Sequence, residues 1–315
     1  MKTGKVVPIG TEELRAKVRA EVKGAGLAQS RAAVEIGVSD SAFSQWLSGK
    51  YPGDSAAIET KVLRWIEARA ERAELAQRLP EAPQFVDIPT SRRIRAALSY
   101  AQMAGDVALV HGGAGISKTT TAQQYAATHN NVWLATMTAS TATLGACLER
   151  VATTCGVRVT TGRVARIEAD LVDRIDNSRG LLIIDEAQHL STRAIEALRA
   201  IHDATGVGLA LLGNDQVYSR ITGGRRSAEF AQLFSRIGKR VRLQLPSRAD
   251  VDALLAAWAI EGPAERDAVL QISRKPGGLR GVTKTLRMAS MVASADGSEV
   301  NSGHIKAAWA DLSGE

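Results

Sequence analysis

Val107-Ala-Leu-Val-His-Gly112-Gly-Ala-Gly115-Ile-Ser117-Lys118-Thr119-Thr120 is the stretch whose reading decides the fold. An apolar, strand-favouring run enters a glycine-rich loop, and the loop enters a helix. Set against the phosphate-loop pattern G-x-x-x-x-G-K-S/T, Gly112, Lys118 and Thr119 fit, and Ser117 stands where the last glycine is expected. In such a loop the backbone N–H groups of Gly112, Gly113, Ala114, Gly115, Ile116, Ser117, Lys118, Thr119 and Thr120 and the following helix N-terminus cradle anionic phosphates. The lysine reaches the β- and γ-phosphates and the Thr119 hydroxyl ligates a divalent cation. Ser117 still offers its N–H, but it adds a Cβ inside the loop.

Outward from the loop, further strand-like runs follow at Val132–Met137, Leu181–Ile184, Val207–Leu212 and Arg240–Leu245, separated by helix-length segments. Apolar strands alternating with helices predict a five-stranded parallel sheet covered on both faces, an α/β fold. The run Leu181-Leu-Ile-Ile-Asp185-Glu186 ends in two carboxylates, which a buried strand does not carry for packing. Asp185 is therefore assigned to the magnesium shell with Thr119, and Glu186 to polarising an attacking water. Gly208–Gly213 ends at Asn214, an amide suited to orienting that water. Together these residues predict a nucleoside-triphosphate site.

The composition agrees. The chain has 315 residues, 45% hydrophobic and 23% charged, as in ordinary globular protein. It contains two cysteines, Cys147 and Cys155, and no long apolar run or secretory pattern, which predicts a cytoplasmic protein without a disulfide framework, zinc module or membrane span. The net charge of +7 favours an anionic partner, and the densest basic stretch is 220–242, with Arg225 and Arg226 in a Thr-Gly-Gly-Arg-Arg loop. Three prolines within 79–90 mark a linker between a helical N-terminal domain, 1–78, and a nucleotide-binding core, 91–245, and helical patterns in 246–315 read as a C-terminal helical domain.

Within the first domain, Gln29–Gly49 reads as a helix-turn-helix: small Ala33 lets two helices approach, Gly37 permits the turn, and Val38, Phe43 and Trp46 bury the second helix. That helix, roughly 40–48, presents Ser41, Ala42, Ser44 and Gln45 to a DNA groove. A small protein-docking module is the alternative. The second helix is poor in Arg and Lys, so contacts from elsewhere must supply affinity.

The loop, the Asp185-Glu186 pair and Asn214 resemble an AAA+ ATPase. More specific segments resemble the MuB, or transposition protein B, family of phage target-capture AAA+ ATPases over nearly the whole chain. They include Ser48-Gly-Lys-Tyr-Pro-Gly-Asp54, Asn130-Asn-Val-Trp133, Ile183-Ile-Asp-Glu-Ala187, Gly213-Asn-Asp-Gln-Val-Tyr-Ser219, Glu229–Ile237 and Lys275-Pro-Gly277. Ser117 departs from the family glycine, which bears on hydrolysis rate more than on binding. The resemblance implies ATP and Mg2+ as cofactors, Asn214 as first sensor, Arg280 as a lid arginine reaching the γ-phosphate, and Arg236 as a finger offered to a neighbour's nucleotide. It also implies that the loops bearing Arg158, Arg163 and Arg166 face a DNA-filled pore. The implied function is sequence-nonspecific, ATP-dependent assembly of the chain with itself on double-stranded DNA. The assembly delivers that DNA to a transposase and stimulates strand transfer; hydrolysis then drives disassembly, in the host cytoplasm if the chain is phage-encoded. A helicase loader of the same ATPase class, or a helix-turn-helix regulator using ATP only as a ligand, are the alternative readings.

Overall fold

The structure, a computed structural model, describes residues 10–78, 83–160, 162–222 and 235–314. The chain divides into two compact units, Met1–Pro80 and Glu81–Glu315.

The first unit is four helices: α1 (Thr11–Gly24), α2 (Gln29–Ile36), α3 (Asp40–Leu47) and α4 (Ser55–Arg78). Leu14, Val18, Ala32, Ala33, Phe43, Trp46, Ile58, Val62 and Trp65 close a single core among them. Gly37 ends α2 at φ 77°, a left-handed conformation that glycine takes without Cβ strain, and Ser39 caps α3 by accepting from the Ala42 N–H at 3.3 Å. The helix-turn-helix expected from the sequence therefore forms, with Ser41, Ser44 and Gln45 exposed on the outer side of α3.

In the second unit, α5 (Pro89–Ala104) leads into β1 (Val107–Gly112), followed by α6 (Lys118–Thr128) and β2 (Val132–Thr136). Then come α7 (Leu144–Thr154), α8 (Val164–Ile175), β3 (Leu181–Asp185), α9 (Thr192–Thr205), β4 (Gly208–Gly213), α10 (Asp215–Thr222) and β5 (Ile237–Leu243). The strands form one five-stranded sheet in the order β2-β3-β4-β1-β5, and every pairing is parallel. Alternate residues of each central strand serve opposite layers. Leu109, Leu182, Ile184, Leu209 and Leu211 pack with α7, α8 and α9, whereas Ala108, Val110, Leu181, Ile183 and Leu212 pack with α5 and α6.

β5 begins three residues earlier than its hydrophobic pattern suggests. Ile237 joins the core below the sheet and a register shift at Val107/Ala108 lets the polar Gly-Lys-Arg stretch pair along β1, so this edge strand shows little apolar periodicity.

Four helices complete the unit: α11 (Arg248–Ala257), α12 (Pro263–Ser273), α13 (Gly278–Ala295) and α14 (Ser302–Ser313). Their core takes in Val86 and Ile88, so the residues just before α5 are packed and not solvated. Asp250 joins these helices to the sheet. It is 1% exposed and accepts from the Thr90 N–H and hydroxyl (2.8 and 2.9 Å) and from the Ser247 N–H and hydroxyl (both 2.8 Å). Burial alone pushes this carboxyl up, but the four hydrogen bonds outweigh it and hold the group below its ordinary value of 3.8.

No helix among the described residues is long and apolar enough to cross a membrane.

Asp250→Asn places an NH2 against these donors and should cost roughly 3 kcal/mol of stability at pH 7 by denaturant unfolding. A carboxyl depressed in the folded state stabilises at neutral pH and loses that contribution as pH falls through its native value. The gap between wild type and variant should therefore narrow below about 3.8.

Candidate nucleotide site

Strand order brings the functional stretches together. β4 lies between β1 and β3, so the loop after Gly112, the carboxylates after Ile184 and the amide after Gly213 meet at one carboxyl edge of the sheet. Ligands of open α/β sheets bind there.

The loop holds its shape through three left-handed or glycine-only conformations. Gly112 lies at φ 150° with its Cα facing the Leu243 carbonyl, and Gly115 lies at φ 72°. Ser117 adopts φ 67°, ψ 15°, the conformation a glycine would take, so the substitution keeps the path of the loop and adds local strain. Lys118, 9% exposed, turns its ammonium back into the loop and donates to the Gly112 and Gly113 carbonyls at 2.8 and 2.7 Å. Burial holds this lysine below its usual range, the positive charge of Arg280 pushing the same way against the carboxylates of Glu186, Asp185 and Asp215.

The Thr119 hydroxyl donates to Asp185 Oδ2 at 2.7 Å. Asp185 is 1% exposed, and burial pushes its carboxyl up despite this bond and one from the Glu186 N–H at 3.0 Å. A hydroxyl and a carboxylate in contact are hard oxygen donors. Among the described residues no group of three or more His, Cys, Asp or Glu side chains stands ready to hold a metal. That donor set fits Mg2+, which takes one or two protein oxygens and otherwise keeps water and phosphate oxygens.

Glu186 sits at φ 54°, a strained conformation of the kind that clusters at functional sites. Its carboxylate accepts from the Gln188 amide, and Gln188 Oε1 accepts from the Asn214 N–H at 3.3 Å. Gln188 therefore ties the carboxylate at the end of β3 to the amide at the end of β4, a link the sequence reading missed. Asn214 uses its own Oδ1 to accept from the Gln216 N–H at 2.9 Å, which leaves its NH2 as donor. His111 meets Asp215 Oδ1 through Nδ1 at 2.7 Å and stacks on Tyr218 with centroids 4.5 Å apart.

A cavity of about 450 Å3 opens over the loop. Its walls are Ala114–Thr120, Glu186, the stretch Pro83–Val86, and one face of α13 bearing Arg280, Lys284 and Arg287. Lys284 and Arg287 were also missed, although they follow Arg280 at the i+4 and i+7 spacing that places side chains on one helical face. The helix and the loop touch through backbone: the Leu279 N–H donates to the Gly115 carbonyl at 2.8 Å, and a Cβ on Gly115 would lie 1.9 Å from the Gly277 carbonyl.

Other expected residues lie away from this cavity. Arg236 precedes Ile237, which pairs with Val107 at the opposite end of β1, about 17 Å of strand from Gly112. It bonds Asp203 on α9 and does not line this cavity. Arg158, Arg163 and Arg166 are exposed between α7 and α8 or on the first turn of α8, and Arg166 pairs with Asp170 at 2.9 Å. Arg225 and Arg226 lie outside the described residues.

Two family models match the chain: AAA domain over residues 102–221, and Mu B transposition protein, C terminal, over residues 235–312. The chain is 37% identical over 300 residues to "ATP-dependent target DNA activator B" of Escherichia phage Mu, covering 95% of each protein. The chain belongs to the Mu B transposition protein family. A second member of the Mu B family, "Mu-like prophage FluMu DNA transposition protein B" of Haemophilus influenzae, is 36% identical over 271 residues, covering 85% of this chain and 93% of that protein. Among solved structures, Drosophila ORC bound to DNA superposes with a TM-score of 0.51 at 17% identity, over 74% of this chain and 63% of that one, a likeness of fold. The fold expected from the sequence, an AAA+ core with helical additions at both ends, is the fold of this Mu B family member.

Two substitutions separate the loop's requirements. Gly115→Ala drives a methyl into the Gly277 carbonyl at a strained φ and should weaken ATP binding at least tenfold by titration calorimetry, the chain remaining folded by circular dichroism. Ser117→Gly should leave ATP affinity within a fewfold and raise the thermal midpoint, relief of the left-handed serine outweighing the added chain entropy by up to about 1 kcal/mol.

Proposed function

We propose that this chain is an ATP-dependent target-DNA activator: an ATPase that binds duplex DNA with little sequence preference, assembles on it with ATP bound, and presents it to a transposase. Hydrolysis releases the assembly. The observation that carries the reading is the meeting of Lys118, Thr119, Glu186 and Arg280 around one cavity, with Asp185 bonded to Thr119 at its edge, in a chain whose curated relatives bear target-DNA-activator and transposition names. We divide the second unit at work into a nucleotide core, 91–245, and a lid, 246–315, with 1–78 as the DNA-reading domain and 79–90 as the connection.

In the site, the backbone N–H groups of 112–120 bind the phosphates and Lys118 neutralises the β- and γ-oxygens. Thr119 and Asp185 hold magnesium, which when bound neutralises phosphate charge. Glu186 accepts a proton from the attacking water, and Gln188 and Asn214 fix where the carboxylate and the water stand. Arg280 meets the γ-phosphate from the lid. Arg236 leaves Asp203 to meet the γ-phosphate of a neighbouring subunit, since a guanidinium stays charged and grips two oxygens at once. Such a contact couples nucleotide state to assembly. Ser41, Ser44 and Gln45, the segment carrying Arg158, Arg163 and Arg166, and the Arg225-Arg226 loop meet DNA, mostly through phosphates, which position without reading sequence. The chain works in the cytoplasm.

Lys118→Ala should abolish ATP binding and ATP-dependent DNA binding together. Glu186→Gln should retain ATP, lose about 100-fold or more in hydrolysis, and stay on DNA. Equal DNA retention by the two in a filter-binding assay contradicts their roles.

Arg236→Ala should bind ATP yet neither assemble nor hydrolyse. Mixing it with Lys118→Ala should restore ATPase at hybrid junctions. No recovery from folded, co-assembling variants removes Arg236 from the interface.

A further inference from the structure

The outer side of α3 carries no cation, so a DNA-binding role for the first unit requires phosphate contacts from another element. α4 supplies a candidate. Lys61, Arg64 and Arg72 are exposed, and at 3.6 residues per turn they fall within roughly 80° of one another around the helix axis. Glu59 and Glu67 lie roughly 60° or more outside this arc and Glu71 borders it about 20° beyond Arg64, yet among the described residues neither Arg64 nor Arg72 makes an ion pair. An ordinary solvated helix pairs its charges at i,i+4 spacing, whereas none of Lys61, Arg64 and Arg72 has a carboxylate four residues away on α4.

The carboxylates that α1 and α2 bring beside this face are already committed. Glu35 accepts from Trp65 Nε1 at 3.1 Å and lies 3.5 Å from Arg69, while Glu21 accepts from Arg69 at 2.8 Å. Arg69 also lies over the Trp65 ring, 5.1 Å from its centroid. These contacts neutralise Arg69 within the fold and leave Lys61, Arg64 and Arg72 as uncompensated charge. Lys61 donates to the Gly37 carbonyl at 3.0 Å, which fixes the basic face against the turn that feeds α3, and its ammonium keeps further protons for another acceptor. A cleft of about 420 Å3 runs between that turn and α4, with Arg64 and Arg72 on its wall.

We propose that this face of α4 binds the phosphate backbone of duplex DNA beside the groove that α3 faces. From Lys61 to Arg72 it is about 16 Å long, and duplex DNA presents about ten phosphate charges over that length. The surface carries affinity without sequence information, and α3, whose one charge is the Asp40 carboxylate in its first turn, follows its placement. The inference rests on the reading of the chain as a DNA-binding protein.

The test uses the full chain with a nonhydrolysable ATP analogue and a random-sequence duplex, with affinity measured across a KCl series. Removing two phosphate contacts lowers the slope of log K against log [salt] by about 1.8. Arg64→Ala/Arg72→Ala should show that loss and weaker binding at every salt, with DNA-free ATP hydrolysis and circular dichroism unchanged. Arg64→Lys/Arg72→Lys should keep the wild-type slope. A wild-type slope in the alanine pair overturns the proposal while the DNA-binding reading stands. Loss of transposase capture in that pair at an unchanged slope also overturns it, and makes the face a site for acidic protein. A wild-type chain that binds no duplex in any nucleotide state overturns both.

Discussion

The second unit is organised around a buried ammonium. Lys118 lies almost out of solvent, bonded to two carbonyls of its own loop, and burial disfavours its charge. Two main-chain carbonyls are weak compensation for a desolvated cation. The nearby negative charge, on Asp185, Glu186 and Asp215, stands at the ends of adjacent strands and not in direct contact. An anion with several oxygens is what this geometry stabilises. The glycines at 112 and 115, the left-handed Ser117 and the sheet order that sets β1 beside β4 and near β3 all serve to present that cation at the carboxyl edge.

A second consequence is that phosphate charge is read from two sides. The helical lid does not merely lie nearby: the Leu279 N–H in the first turn of α13 donates to the Gly115 carbonyl, and Gly277 approaches so closely that only glycine fits opposite. Arg280, Lys284 and Arg287 then face the same cavity from one side of α13. Asp250 anchors the other end of the lid to the start of α5 through four hydrogen bonds. The loop and the lid are thus joined directly through their backbones. On our reading that connection carries nucleotide state to the surfaces that meet DNA and other subunits.

Much of this was legible in the residues. The central strands are apolar on both faces and appear as continuous runs; the loop and the Asp185-Glu186 ending are local patterns. The helix-turn-helix followed from Ala33, Gly37 and Trp46. What escaped was non-local or polar. Gln188 looks like a turn residue until Glu186 and Asn214 are both seen on its amide. Pro83–Val86 reads as linker because prolines break periodicity, yet it packs beneath the lid and walls the cavity. The start of β5 is hidden by Gly238, Lys239 and Arg240, tolerable only because an edge strand has one neighbour. Lys284 and Arg287 follow Arg280 at a spacing readable in the sequence, and Lys61, Arg64 and Arg72 are likewise there, but only the fold sets them beside the turn that feeds α3.

If phosphate charge joins loop to lid and lid to DNA affinity, the nucleotide must change how tightly the chain holds duplex. The most direct measurement is fluorescence anisotropy of a labelled duplex titrated with the full chain at fixed salt, with a nonhydrolysable ATP analogue, with ADP, or with no nucleotide. The account predicts binding at least tenfold tighter with the triphosphate than with ADP or none. Equal affinity in the three states, with nucleotide occupancy shown by calorimetry, would contradict it.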